Sequence, residues 1–167
     1  MDGRKLFMKE QLKAEKRIKF HVNGQLVDIA VPATYRLVDI LRQELSLTGT
    51  KVSCEVGRCG ACSVILDGKL VNSCLVMAYQ LEDTDIQTIE SVSTEALHPI
   101  QEAFLQGGAL QCGYCTPGMI MALKSLLAEE QQPTREEVLQ GLSGNLCRCT
   151  GYEGILRAVD ILHNTQK

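Results

Sequence analysis

The sequence predicts an α+β chain in two parts: a small mixed β-sheet with one helix over about residues 17–90, then four helices. Three observations carry this. Apolar residues recur with a period of two at Ile18, Phe20 and Val22 and again at Val27, Ile29 and Val31. Beyond residue 95 the apolar spacing lengthens to the 3.6-residue rhythm of a helix. Between these halves lies a polar stretch, residues 91–95, that reads as a linker. With 167 residues the chain has room for one ordinary core or two small ones. The expected division is an N-terminal extension over 1–16, a sheet domain over 17–92 and a helical domain over 93–167.

In order along the chain, residues 6–16 read as a helical leader. The two alternating runs are joined by Asn23-Gly24, a pair that favours the two-residue turn of a β-hairpin. Thr34 is expected to cap a helix whose buried face is Leu37, Ile40, Leu41 and Leu45. Val64-Ile65-Leu66 and Leu70-Val71 flank Asp67-Gly68 and predict a second hairpin, with a last strand over Ile86 to Ile89. In the second half, Pro99 to Gln106 predicts a short helix stopped by Gly107-Gly108. Thr116-Pro117 supplies a capping hydroxyl and an early proline for a helix through Ile120, Leu123 and Leu127. Thr134 and Glu137 have capping-box spacing for a third, and Ile155, Val159 and Leu162 mark a fourth. Two antiparallel pairs are expected, each with a cysteine couplet in its connection, as in a crude twofold repeat.

Composition and charge exclude several classes of function. No apolar run approaches the ~20 residues of a membrane span, so no membrane insertion is expected. Aromatic residues are 4% and Trp is absent, which argues against a base-stacking or carbohydrate-stacking platform while leaving room for single aromatic contacts. Residues 1–19 carry seven Lys or Arg against three acids, whereas residues 20–167 carry ten against seventeen. Phosphate repels such a body, and nucleic acid is not an expected partner. The basic start has neither the apolar stretch nor the small-residue site of a secretory signal, so a cytoplasmic, reducing location is expected. In that setting closely spaced cysteines hold metal or do redox chemistry rather than pair as disulfides.

The eight cysteines fall into two fours. Cys54, Cys59, Cys62 and Cys74 follow C-x4-C-x2-C…C, the spacing of a plant-type [2Fe–2S] site. Two tetrahedral ferric ions bridged by two sulfides need four thiolates, two per iron. The loop must also turn backbone N–H groups toward sulfur, and Gly57 and Gly60 allow the backbone angles for that. Cys112, Cys115, Cys147 and Cys149 form the second set, one C-x2-C and one C-x-C, each lying between helices. Two Fe³⁺, two S²⁻ and four thiolates sum to −2, and one added electron makes −3. A helix N-terminus just beyond Cys115 would stabilise that charge, with Arg148 assisting if it points inward.

On spacing alone a zinc site stays open, more for the second set than the first. His21, His98 and His163 read as a strand-surface, a helix-start and a helix-end residue, and Glu82, Asp83 and Asp85 as a solvated loop. The chain has no G-x-G-x-x-G, no P-loop, no H-E-x-x-H and no nucleophile elbow. No catalytic residue is expected. Two one-electron centres without a substrate pocket suit a relay between redox partners.

The stretches Phe20-His21-Val22-Asn23-Gly24, Leu41-Arg42, Cys59-Gly60-Ala61-Cys62, Gln111-Cys112-Gly113-Tyr114-Cys115-Thr116-Pro117-Gly118 and Gly144-Asn145-Leu146-Cys147-Arg148-Cys149-Thr150-Gly151-Tyr152 resemble the small iron–sulfur subunit of the molybdenum hydroxylases, the xanthine dehydrogenase family. The resemblance covers about residues 17–163 and favours [2Fe–2S] over zinc at the second quartet. It implies a β-grasp ferredoxin-like domain and a four-helix domain with one [2Fe–2S] cluster each. It implies electrons passing from a molybdopterin-binding large subunit, through the helical-domain cluster and then the ferredoxin-like one, to FAD in a medium subunit. It also implies that Gln111 and the ligand Cys149 lie against the pterin. Xanthine or hypoxanthine oxidation is the first expectation, and carbon monoxide, nicotinate, aromatic-thioester or aldehyde oxidation the next. A zinc-stabilised assembly module is the reading from another class.

One departure from the family pattern stands out. The family usually has glycine on both sides of the first ligand, whereas Ser53 and Glu55 flank Cys54 here. Either the loop differs locally or those positions do not need glycine. A carboxylate at Glu55 should make the nearby cluster harder to reduce, and Glu55→Gln is expected to raise its potential.

Overall fold

Asn23 and Gly24 both take positive φ, 53° and 78°, and close β1 (Glu15–Val22) onto β2 (Gln25–Pro32) as an antiparallel hairpin. The computed structural model describes residues 15–93, 95–130 and 132–165. β1 therefore includes Glu15 and Lys16, which pair with Pro32 and Val31 and so are not helical as expected; residues 6–14 of the expected leader helix lie outside the described residues. Asn23 also reaches across the sheet. Its side chain donates to Thr88 Oγ1 and accepts from the Thr88 N–H, both at 2.9 Å.

The helix after the hairpin departs from expectation. It is one turn of α-helix, α1 (Leu37–Asp39), that widens into a π turn over Ile40–Glu44, closed by Leu45 N–H on the Ile40 carbonyl. Its N-cap is Arg36, not Thr34. The first-turn donors are already used: Leu37 N–H bonds the Val76 carbonyl and Val38 N–H that of Ser73, so no hydroxyl cap is required. This helix is thereby tied to the segment that carries Cys74.

β3 (Ser63–Leu66) and β4 (Lys69–Asn72) form the second hairpin, with Asp67 and Gly68 at positive φ. β5 (Asp85–Gln87) pairs parallel with β1 and antiparallel with β3, completing a mixed sheet in the order β2-β1-β5-β3-β4. β5 stops short of the expected Ile89, because Thr88 is held by Asn23 and Ile89–Ser91 coils into a 3-10 turn.

The helical half contains α2 (Pro99–Gln106), α3 (Thr116–Glu129), α4 (Arg135–Leu142) and α5 (Glu153–Thr165). His98 caps α2, its Nδ1 accepting from the Ile100 N–H, and Thr134 and Glu137 form the expected box on α4. Thr116 is the first helical residue rather than the cap, and Cys115 takes the N-cap position. The expected pairing is also corrected: α2 packs chiefly on α5 and α3 on α4, so the couplets join helices from different packed pairs.

Two cores meet at β3. Val64 faces inward with Phe20, Leu37, Leu41 and Ile86, while its neighbour Ile65 joins Phe104, Met119, Leu123, Ile155 and Val159. Strand alternation sends adjacent side chains to opposite faces, so one strand serves both halves and α3 rests against it. Each such buried aliphatic side chain contributes about 1.5–3 kcal/mol.

Candidate metal centres

Cys54, Cys59 and Cys62 lie on the loop leading into β3, and Cys74 follows β4. The loop turns through positive φ at Glu55 (59°), Gly57 (73°) and Gly60 (66°), whereas Ser53 does not. Of the two departures from glycine, only Glu55 thus sits where glycine would relieve strain. The Val56 and Arg58 N–H groups donate to Cys54 Sγ at 3.5 and 3.3 Å. These bonds bring the Cys54 thiol down to about 6, toward the thiolate that binds metal. Cys74 is raised to about 11, first by burial and then by its neighbour Cys62.

Cys59 is a neighbour of Cys54, and Cys62 of Cys74, with Cys54 also near enough to Cys74 to add to its rise. The first pair is half-buried and the second buried. Asn72 and Ser73, which sequence reasoning missed, brace the loop. Asn72 Nδ2 donates to the Gly57 carbonyl at 3.1 Å, and Ser73 Oγ donates to the Cys62 carbonyl at 2.7 Å.

The second quartet repeats the arrangement. Cys112 and Cys149 face each other with sulfurs 3.5 Å apart at the exposed edge, and Cys115 meets Cys147 behind them. Burial, then Cys147, pushes Cys115 up to about 12. Burial also raises Cys147, but the Thr150 hydroxyl and N–H, donating to its sulfur at 3.1 and 3.4 Å, outweigh this and bring it below the ordinary thiol value. Tyr152, at φ 66°, accepts from the Cys147 N–H at 2.8 Å and donates to the Asn145 carbonyl at 3.3 Å. α3 begins directly after Cys115, so its N-terminus lies beside this quartet. Gln111 and Arg148 are exposed next to Cys112 and Cys149.

Two thiolates on one tetrahedral ion, with metal–sulfur bonds of ~2.3 Å, stand about 3.8 Å apart. The 3.5 Å separation of Cys112 and Cys149 is close to that span. The four free thiols of each quartet supply the two ligands per iron that a [2Fe–2S] cluster needs.

The loops also bind each other. Leu146 N–H donates to the Cys59 carbonyl at 2.9 Å, and Asn145 Nδ2 to the Gly60 carbonyl at 3.1 Å. Tyr114 Oη donates to the Val52 carbonyl at 2.6 Å. A Cβ at Gly118 would collide with the Gly60 carbonyl, so glycine there permits the approach. Asn145 and Tyr152 fall inside a motif read from the sequence, but nothing in one dimension showed which carbonyl or amide they would meet. His21 is exposed on β1, and His98 caps α2. No helix among the described residues is long and apolar enough to cross a membrane.

Residues 20–91 match the model of a 2Fe-2S iron-sulfur cluster binding domain and residues 88–160 that of a [2Fe-2S] binding domain. The chain is 54% identical over 144 residues to a probable xanthine dehydrogenase subunit of Bacillus subtilis, an alignment covering 86% of this chain and 83% of the relative. It is 50% identical over 142 residues to the nicotine 6-hydroxylase small subunit of Paenarthrobacter nicotinovorans, covering 85% and 86%. Its fold is similar to that of a chain of quinoline 2-oxidoreductase from Pseudomonas putida 86, with a TM-score of 0.86 at 42% identity over 92% of this chain and 96% of that one.

Proposed function

The chain belongs to the small [2Fe–2S] subunits of the molybdenum hydroxylase family, and from that premise we propose that it carries single electrons from a molybdopterin-binding large subunit to an FAD-binding medium subunit. It is an electron-transfer subunit of an oxidoreductase complex and has two 2Fe-2S binding domains. Cys54, Cys59, Cys62 and Cys74 would hold one cluster, and Cys112, Cys115, Cys147 and Cys149 the other. When bound, each cluster stores and releases one electron. Gln111 and Cys149, at the exposed edge of the second quartet, would face the pterin of the large subunit.

The observation that carries this reading is the contact between Leu146 and Cys59. From Cys147 the chain runs through one peptide to the Leu146 N–H, crosses a 2.9 Å hydrogen bond to the Cys59 carbonyl, and reaches the Cys59 thiol by covalent bonds. One residue from each quartet is thus joined without a through-space gap. The backbone N–H groups at Cys54 and the Thr150 groups at Cys147 offer positive dipole to sulfurs that must tolerate added negative charge.

Xanthine or hypoxanthine oxidation is the proposed use, supported by the 54% identity to the Bacillus subtilis relative. The 50% identity to the nicotine 6-hydroxylase small subunit supports another N-heterocycle as the second reading. Purifying the native complex, identifying its companion chains and assaying purines against nicotine and nicotinate decides between them. Four iron and four acid-labile sulfide per small subunit are expected. A colourless, zinc-containing chain would reject the relay.

A further inference from the structure

Glu55 is held in the left-handed backbone region immediately after Cys54, a conformation unfavourable for a side chain longer than that of Asn or Asp. Its carboxylate is met there by Arg36, whose Nη1 donates to Glu55 Oε2 while its Nε donates to Asp39 Oδ2 at 2.8 Å. The Arg36 backbone is itself fixed, as the N-cap of α1 and in a bridge to Met77, three residues beyond Cys74. The planar guanidinium fork therefore spans from the helix tied to the Cys74 segment to the residue beside Cys54.

We propose that Arg36 is a positioning and charge-balancing residue for the first cluster: its pair with Glu55 fixes the backbone beside Cys54 and offsets the negative charge that Glu55 brings there. The inference rests on the reading that Cys54 binds that cluster. With Arg36 present, the group Arg36, Asp39 and Glu55 carries a net −1. Arg36→Gln makes it −2, Glu55→Gln makes it zero, and the double substitution restores −1. Reduction adds negative charge to the cluster, so its potential should follow that order.

The test is a redox titration of both clusters in the purified complex, monitored by their separate paramagnetic signals. Arg36→Gln should lower the first cluster's potential and Glu55→Gln should raise it. Each should change the partition of an electron between the two clusters by about three- to tenfold, tenfold corresponding to 59 mV for one electron. The double variant should return near the parent value, and the second cluster should not move. If Arg36→Gln loses the first cluster, Arg36→Lys, which keeps the charge, should retain it at near the parent potential, and a Lys variant that also loses the cluster or falls tenfold in that partition overturns the inference. Unshifted potentials, or equal shifts in both clusters, overturn the inference. A parent complex without the first cluster's signal overturns instead the assignment of Cys54 as a ligand.

Discussion

The Leu146 N–H donates to the Cys59 carbonyl across 2.9 Å, so the two cysteine loops share a backbone hydrogen bond. A loop position is ordinarily tolerant of change, but here a small shift of either backbone would break the join between the quartets.

Gly118→Ala places a methyl group against the Gly60 carbonyl. Overpacking of this kind costs about 1–3 kcal/mol, and here the strain falls on the loop contact itself. Thermal unfolding should show the lost stability, and rapid-mixing spectroscopy should show slower electron exchange between the clusters.

Tyr152→Phe removes the hydroxyl that satisfies both the Cys147 N–H and the Asn145 carbonyl. Leaving these groups unpaired costs about 1–3 kcal/mol. Chemical denaturation should register the loss. The spectrum of the helical-domain cluster should change while that of the ferredoxin-like cluster stays the same.

Thr150→Val deletes the hydroxyl donor to Cys147 Sγ and keeps the N–H donor. With less positive dipole at that sulfur, the helical-domain cluster should become harder to reduce, which a potentiometric titration reads as a downward shift confined to that cluster.

The α2 cap predicts a pH dependence. His98 Nδ1 must be unprotonated to accept from the Ile100 N–H, and burial, with the Lys124 charge, holds its pKa below the ordinary histidine value. The unfolded chain takes up this proton at a higher pH than the folded one. Its stabilisation is therefore complete above the ordinary histidine pKa of about 6.5 and is lost as pH falls through the depressed folded value. His98→Asn, which keeps a capping acceptor worth about 1 kcal/mol, should flatten this part of the stability profile.

The sequence made the sheet hairpins legible because Asn23-Gly24 and Asp67-Gly68 need positive φ and the flanking residues alternate. It likewise showed the two cysteine fours, since ligand spacing is written along the chain. It did not show how the fours divide into pairs, because which sulfurs approach depends on Cys74 and Cys149 arriving from outside the local loops. The cap expected at Thr34 is absent for a related reason. The donors that a hydroxyl would satisfy at α1 are taken by Ser73 and Val76 carbonyls, nearly forty residues away in sequence. The contacts of Arg36, Asn72 and Asn145 are not legible in the sequence, because polar residues of this kind acquire a role only from the groups that folding brings to them.

The most direct measurement follows the electron in the native complex carrying Cys149→Ser. After substrate is mixed in, the helical-domain cluster signal should be missing and the ferredoxin-like cluster and flavin should remain oxidised, although added dithionite still reduces both. Flavin reduction by substrate at the parent rate would contradict the relay.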